Sequence, residues 1–258
     1  MNWKRWGVVI FSLILIWLWQ QWPDGKLHVI FCDVDQGDST LIVLGSFQAL
    51  VDTGPNEEKL FTCLGKYMPF WDKQINLVFL SHSDKDHIGA VDGLKKRYQI
   101  GTIVDKPKSN DVIRYGSLMF DILKGSDPVV DRVMDGGSAT NEQSVVMDMT
   151  LNDFSVVFTG DIDISSELAI VDSGVLRSAQ VLKVSHHGSK YGSSIEFLKA
   201  VRPEVAVVSV GAKNTYGHPN SDTLMRLDQV GAKIFRTDQM GSVEIIDDNQ
   251  SLKVFTEK

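Results

Sequence analysis

Four residues with metal-binding side chains, His82, Asp84, Asp86 and His87, lie within a six-residue stretch. They directly follow the apolar run 75–80, whose length and aliphatic content predict a buried strand, and apolar residues at helical spacing come next. On extended backbone His82 and Asp84 point the same way, and the two residues at the helix start can turn back towards them. Imidazole and carboxylate groups that converge on one point bind a divalent ion. The alternative is a solvated loop whose aspartates cap the helix.

Two later segments place further candidate ligands at the ends of predicted strands. Asp161 follows the β-forming run Phe154–Phe158. An aspartate at the end of a buried strand costs free energy unless it is paired or bound to a metal. His186 and His187 follow another predicted strand, where neighbouring side chains point in opposite directions. Both histidines reach one site only if the chain turns there, which Gly188 permits.

A last candidate, His218, lies in the loop 211–219 after the predicted strand 205–210. A structural histidine is the alternative interpretation. The polar loop 136–144 contains no histidine, so this region adds no imidazole ligand.

The order of these motifs resembles the metallo-β-lactamase fold family, whose metal motif is usually His-x-His-x-Asp-His. Asp84 in place of the second histidine is similar to the nuclease-like domain of ComEC-type competence proteins. The resemblance covers about 28–220. Asp35 stands where the family usually has glycine, and a glycine there indicates a backbone geometry that aspartate tolerates less well. Further matching segments are Asp-Val-Asp-Gln-Gly-Asp at 33–38, Asn-x-x-Ser at 141–144, Leu-Lys-Val-Ser-His-His-Gly-Ser at 182–189 and Asn-Thr-Tyr-Gly-His-Pro at 214–219.

This resemblance implies a site for two divalent ions. One ion is expected to bind His82, Asp84 and Asp161, and the other to bind Asp86, His87, Asp161 and His218. His186 could serve either ion. His187 is the predicted general acid, and Asp86 is predicted to be catalytic as well as a ligand. Three carboxylates and no cysteine make the ligand set hard, so manganese is expected beside zinc.

The fold expected from the resemblance is an α/β four-layer αββα sandwich preceded by one N-terminal hydrophobic helix. Strands and helices alternate in two successive sets along the chain, with the motif residues at strand ends. Helix N-caps are predicted at Asn56, at Ser165 or Ser166, at Ser194 and at Ser221.

The segment 6–23 is uncharged and apolar, and Lys4 and Arg5 precede it. Its length is close to the roughly 20 residues that cross a bilayer. No small residues suited to cleavage follow it, so we expect a membrane anchor, with the remaining chain outside the cytoplasm. A cleaved signal peptide, which would release a secreted domain, is the alternative. The chain is accordingly divided into an anchor or signal segment with a short linker, 1–25, and one domain, 26–258.

The composition limits the partners and leaves the redox state open. A net charge of −7 and a pI near 5.3 exclude a broad electrostatic footprint for nucleic acid. The two cysteines, Cys32 and Cys63, could form one disulfide or remain two buried thiols.

The predicted function is metal-dependent hydrolysis by a water that two metal ions activate. DNA or another phosphodiester is the expected substrate because hard metals coordinate phosphate oxygens well, which makes a phosphodiesterase or nuclease of ComEC-like type. One alternative is an extracytoplasmic hydrolase of an envelope phosphodiester or lactone. Another is a metal-free binding or assembly factor, since two usual histidine positions are replaced.

Overall fold

Two seven-stranded sheets form the centre of the domain. The computed structural model describes residues 6–13, 23–126, 141–248 and 251–258. The strands are β1 (Leu27–Phe31), β2 (Thr40–Leu44), β3 (Phe47–Val51), β4 (Gln74–Phe79), β5 (Gln99–Val104), β6 (Val112–Tyr115), β7 (Leu118–Lys124), β8 (Val146–Leu151), β9 (Phe154–Phe158), β10 (Val181–Lys183), β11 (Val205–Val208), β12 (Lys233–Arg236), β13 (Val243–Asp247) and β14 (Leu252–Thr256). The strand orders are β14-β13-β1-β2-β3-β4-β5 and β12-β11-β10-β9-β8-β7-β6.

The described helices are α1 (6–13), α2 (Glu57–Tyr67), α3 (Lys85–Ile88), α4 (Val91–Arg97), α5 (Ile164–Ser173), α6 (Ile195–Val201), α7 (Ser221–Gln229) and α8 (Thr237–Met240). Of these, α2 and α4 cover the outer face of the first sheet, and α5 to α7 cover the outer face of the second. Short 3₁₀ turns occupy Asn141–Gln143 and Ser185–Gly188.

Side-chain alternation along the strands divides the core into three apolar layers. In β1, Val29 and Phe31 pack between the two sheets, whereas Ile30 points outward to the layer beneath α2 and α4. A third layer lies between the second sheet and α5 to α7. This period of two buries both faces of each sheet. The predicted four-layer αββα sandwich is therefore confirmed.

The carboxyl ends of the central strands meet at one edge of the molecule, which we call the metal edge. Strands β3, β4 and β5 are parallel in the first sheet, and β9 to β12 are parallel in the second. The loops that leave β4, β9, β10 and β11 at this edge carry the predicted ligands. Ligand sites of α/β folds commonly lie outside the carboxyl ends of the strands.

Two of the predicted caps are confirmed and two are wrong. Asn56 and Ser194 accept backbone N–H groups at the starts of α2 and α6. For α5 the cap is Asp163, not Ser165 or Ser166, and for α7 it is Asn220, not Ser221. In both corrected helices a carboxylate or amide oxygen one to three residues upstream takes the role predicted for a hydroxyl.

Cys32 and Cys63 form a disulfide between the end of β1 and α2, with their Cα atoms 5.8 Å apart. Of the two redox states left open above, the structure has the bonded one.

The predicted anchor falls mostly on 1–5 and 14–22, which lie outside the described residues. The described helices contain none that is both long and apolar enough to span a bilayer.

Candidate metal centre

Four donor groups gather where the two sheets meet at the metal edge. One donor atom from each of Asp86, His87, Asp161 and His187 lies within 4.8 Å of every other. The His187 Nε2 atom is 3.3 Å from a carboxylate oxygen of both Asp86 and Asp161, and His87 Nε2 is 3.3 Å from the other Asp161 oxygen. The two oxygens of Asp161 therefore face different histidines.

These residues fit a metal ion. Four ligands at about 2.1 Å from an ion in a tetrahedral arrangement are separated from one another by about 3.4 Å. The three nitrogen–oxygen distances of 3.3 Å given above are close to this value. Within the described part of the chain, Asp161 Oδ1 and the Nε2 atoms of His87 and His187 are buried without a hydrogen-bond partner. Buried polar atoms without partners are costly. Their convergence on one point indicates a cation as the missing partner.

Outer carboxylate and carbonyl groups orient both histidines. The Nδ1–H of His87 donates to Asp52 over 2.8 Å, and the Nδ1–H of His187 donates to the backbone oxygen of Ser209 over 2.9 Å. Because an outer acceptor holds Nδ1–H in each ring, Nε2 is the nitrogen that faces the cluster and can exchange its proton for an ion. Such outer partners are characteristic of metal-binding histidines.

Asp52 is in turn fixed by the backbone that follows β4. It accepts the Ser81 N–H over 2.8 Å and the Ser81 hydroxyl over 2.7 Å. Burial alone would lower the pKa of His87, but Asp161 and Asp52 outweigh burial and raise its pKa to about 10. The His87 ring therefore lies in a strongly negative environment, which favours any cation bound there.

A buried lysine lies behind the donor set. The Lys183 ammonium pairs with Asp38, donates to the Gly160 carbonyl over 3.2 Å and lies 3.7 Å from Asp161. Burial favours the neutral form of Asp38, but Lys183 and His187 hold the pKa of this carboxyl well below its usual range. Lys183 therefore keeps Asp38 ionised beside the donor set.

His82 and Asp84 lie beside the four-donor set. His82 Nε2 is buried 3.6 Å from Asp84 Oδ2, and its ring centroid is 4.0 Å from that of His87. Asp84 is the residue before α3 and does not use its side chain as a helix cap. This arrangement agrees with the ligand role predicted for the pair, and a second ion bound by them stays a prediction.

The backbone turns sharply at the double histidine, and the two rings reach the site by different routes. His186 and His187 both have positive φ, 47° and 52°. His187 is buried in the donor set, whereas His186 is a quarter exposed with its Nε2 3.8 Å from Asp161 Oδ2. Asn141 Nδ2 lies 3.4 Å from the same His186 nitrogen. Left-handed backbone thus overrides the strand alternation that would separate the rings.

His218 lies beyond His186, further from the four-donor set. Its centroid is 5.6 Å from that of His186, and the exposed ring of Tyr216 stacks on it at 5.9 Å. The position beside Asp86, His87 and Asp161 that the sequence assigned to His218 is occupied by His187. Burial, followed by the neighbouring histidines, lowers the pKa of His218 to about 4. Its role as a ligand stays a prediction, as does the general-acid role of His187.

The sequence interpretation did not assign Asp38 and Asp52 to the site, and considered Lys183 only as a partner for a ligand carboxylate or as a residue at a sheet edge. Each follows or ends a central strand at the metal edge. The signal was present: Asp38 ends the 33–38 motif, and Asp52 directly follows an apolar run. The left-handed conformation of Asp35, with φ of 65°, is the geometry that glycine prefers at that position.

Comparisons with known proteins agree with this geometry. A family model described as "Metallo-beta-lactamase superfamily" matches residues 32–212. ComE operon protein 3 of Bacillus subtilis is 28% identical over 86% of this chain and 33% of its own length, and competence protein ComA of Neisseria gonorrhoeae is 27% identical over 93% and 35%. The chain thus spans about a third of these relatives.

Among solved structures, the metallo-beta-lactamase fold protein YhfI from Bacillus subtilis has a TM-score of 0.58, with 14% identity over 86% of this chain and all of that one. The resemblance to ComEC-type competence proteins that the motifs indicated is confirmed. With the fold, the order of the motifs and the family model in agreement, the chain belongs to the metallo-β-lactamase superfamily.

Proposed function

We propose that this chain is a metal-dependent phosphodiesterase whose substrate is a nucleic acid strand, most readily single-stranded or nicked DNA. The observation that carries the proposal is the four-donor set of Asp86, His87, Asp161 and His187, with its unpartnered buried atoms. An ion held there lowers the pKa of a water and neutralises charge on a phosphate oxygen. Two carboxylates in the set suit hard metals such as manganese, beside zinc.

The protein's own groups prepare this site for phosphate chemistry. Lys183 keeps Asp38 ionised, His187 and His87 keep Asp161 ionised, and Asp52 and Ser209 fix the histidine tautomers. Burial lowers the pKa of His186, so its partly exposed ring is neutral near pH 7 and can accept a proton or a hydrogen bond.

A cleft and an exposed ring support a nucleotide-sized substrate. A cleft of about 360 Å³ beside His82 also includes Lys106, Ser126 and Gln143. On the other side of the centre, Tyr216 is 71% exposed, and its loop is fixed because Asn214 bonds both the N–H and the carbonyl of His218. A rigid exposed aromatic ring near a phosphate site is suited to stacking on an unpaired base.

The relatives are consistent with this substrate, because one of them is a competence protein by name. The acidic chain opposes broad DNA binding, so we expect slow cleavage that depends mainly on the metals and that salt inhibits only modestly. The same acidity favours a second candidate, hydrolysis of a small envelope phosphodiester.

We also propose that the domain lies outside the cytoplasm, attached through 6–23. The uncharged segment preceded by Lys4 and Arg5 supports this orientation. The Cys32–Cys63 disulfide supports it too, because disulfides persist in oxidising compartments.

The test is a substrate panel with the purified full chain loaded with manganese or zinc. Labelled single-stranded and duplex DNA, bis(p-nitrophenyl) phosphate and a β-lactam would be compared at several salt concentrations. Cleavage of single-stranded DNA is expected. Cleavage of the small diester but never of DNA would support the envelope candidate, and absence of metal binding would overturn the enzyme proposal in favour of a binding or assembly factor.

A further inference from the structure

The edge opposite the metal edge carries an exposed aromatic pair. Phe70 and Trp71, in the loop between α2 and β4, are 52% and 45% exposed, and their rings meet edge to face at 4.9 Å. Trp71 is the only tryptophan in 23–258. Tryptophan and phenylalanine exposed side by side favour the boundary between water and lipid.

Basic side chains lie on the same loop and on the helix end that contacts it. The Lys73 ammonium lies over the Tyr98 ring at 5.2 Å, and the Gln99 N–H donates to the Lys73 carbonyl over 2.7 Å. These contacts join the loop to the end of α4, whose last turn exposes three further cations. We call the whole group the basal patch: Phe70, Trp71, Lys73, Lys95, Lys96 and Arg97. Its positive charge stands out in a chain whose net charge is −7.

The chain enters the domain beside this patch. Strand β1 runs antiparallel to β2, β2 antiparallel to β3, and β3 parallel to β4. Strands β1 and β4 therefore both begin at the edge opposite the metal centre. There, Pro23 and Asp24 line a cavity of about 240 Å³ together with Tyr67, Met68 and Pro69, so the chain at Pro23 lies beside the base of the patch loop.

We propose that the basal patch is a membrane-contact surface that rests on an anionic bilayer. Phe70 and Trp71 enter the headgroup region, and the four cations face lipid phosphates, each contributing about fivefold to partitioning. The metal centre then points away from the membrane, about 20 Å from it, because the six residues of β4 separate the two edges. This inference rests on the proposed membrane attachment and is independent of the proposed chemistry.

A single-label experiment on the full chain tests this placement. Both native cysteines are paired, so Phe70→Cys introduces one free thiol for an environment-sensitive dye. Tyr216→Cys, at the exposed metal edge, is the matched control. Each labelled protein would be placed in vesicles of phosphatidylcholine and phosphatidylglycerol at about a two-to-one ratio, which supplies the anionic surface, and quenched with aqueous iodide.

We expect the dye at 70 to be shielded from iodide severalfold more than the dye at 216. Replacing Lys95, Lys96 and Arg97 with glutamine should reduce that shielding. Equal quenching at both positions would overturn the inference. Shielding at 70 that disappears at one protein per vesicle would also overturn it, because a second protein copy would then be the occupant. DNA cleavage without shielding rejects only this inference, and shielding without cleavage rejects only the proposed chemistry.

Discussion

Two buried carboxylates, Asp161 at the metal edge and Asp148 on β8, differ in what surrounds them. Both are almost fully buried, at 3% and 1% exposure. Burial favours the neutral form of each, but His187 and His87 hold the pKa of Asp161 well below its usual range. The pKa of Asp148 rises to about 6, because burial outweighs its 3.6 Å contact with Arg177 and Asp121 opposes its charge.

The difference shows that burial of a carboxylate does not by itself mark a functional site. At the metal edge, unpartnered atoms of several residues converge on one point. Asp148 also has one unpartnered oxygen, but it stands alone, and Asp148 and Asp121 share one exposed arginine. At the metal edge, a metal ion can replace the protons that the carboxylates would otherwise hold on His87 and His187. At the second site, burial of Asp148 costs free energy, and Arg177 is the cation that the two carboxylates contact.

The largest expected effect comes from Asp161→Asn. Removing the carboxylate that faces both histidines should eliminate most bound metal and lower hydrolysis more than about 100-fold, beyond the loss typical of an outer partner. Metal content by mass spectrometry and single-turnover cleavage would measure the two effects. Asp163→Asn is the matched control, because the amide can still cap α5. An Asp161→Asn protein that keeps its metal would remove Asp161 from the centre.

Asp52→Asn should have the next largest effect. The hydrogen bond to His87 Nδ1 orients that ring, so its loss should weaken metal affinity by about 10- to 100-fold without abolishing binding. Calorimetric titration of the metal-free protein would measure this change. Asp72→Asn, at the opposite end of the same sheet, should leave the affinity unchanged. Equal affinities for wild type and Asp52→Asn would show that Asp52 acts only on the fold.

Tyr216→Ala distinguishes substrate stacking from chemistry. Loss of the stacking ring should raise KM for single-stranded DNA about tenfold while leaving methyl p-nitrophenyl phosphate hydrolysis unchanged. Tyr216→Phe, which keeps the ring, should behave like wild type. Parallel losses with both substrates would instead indicate that Tyr216 supports the neighbouring His218.

The smallest effect is expected from a substitution of Asp148, and it is an effect on stability. The folded pKa of Asp148 exceeds its ordinary 3.8, so its contribution to folding is most favourable below pH about 4 and is lost as the pH rises through about 6. Asp148→Asn should therefore have a free energy of unfolding about 1 to 2 kcal/mol higher than that of wild type at pH 8, and an equal one near pH 4. Urea titrations at both pH values would show this, with metal content unchanged. A destabilised variant at pH 8 would mean that the ion pair outweighs burial.

The sequence supported the fold and the identity of most site residues because the ligands follow strands whose apolar runs are easily recognised. His82, Asp84 and Asp86 could be placed on a strand-to-helix loop from spacing alone. The place of His187 in the four-donor set could not be predicted. It depends on two consecutive left-handed residues, and nothing in a pair of histidines specifies that turn.

Two other features required long-range contacts. Strand β6 has only four residues and an exposed side, so its periodicity is too weak to recognise. Asp38 and Asp52 join the centre because β1 and β3 lie in the same sheet as β4. Asp38 is 14 residues from Asp52 and 49 from His87 in the sequence, so no local pattern predicts that they meet. Local rules identify elements, and the sheet order decides which strand-end side chains meet.

The most direct test of a metal centre at Asp86, His87, Asp161 and His187 is anomalous diffraction from crystals of the full chain grown with manganese. We predict an anomalous peak about 2.1 Å from one donor atom of each of these four residues. A peak enclosed by other residues, or no peak at a manganese concentration that supports hydrolysis, would contradict the assignment.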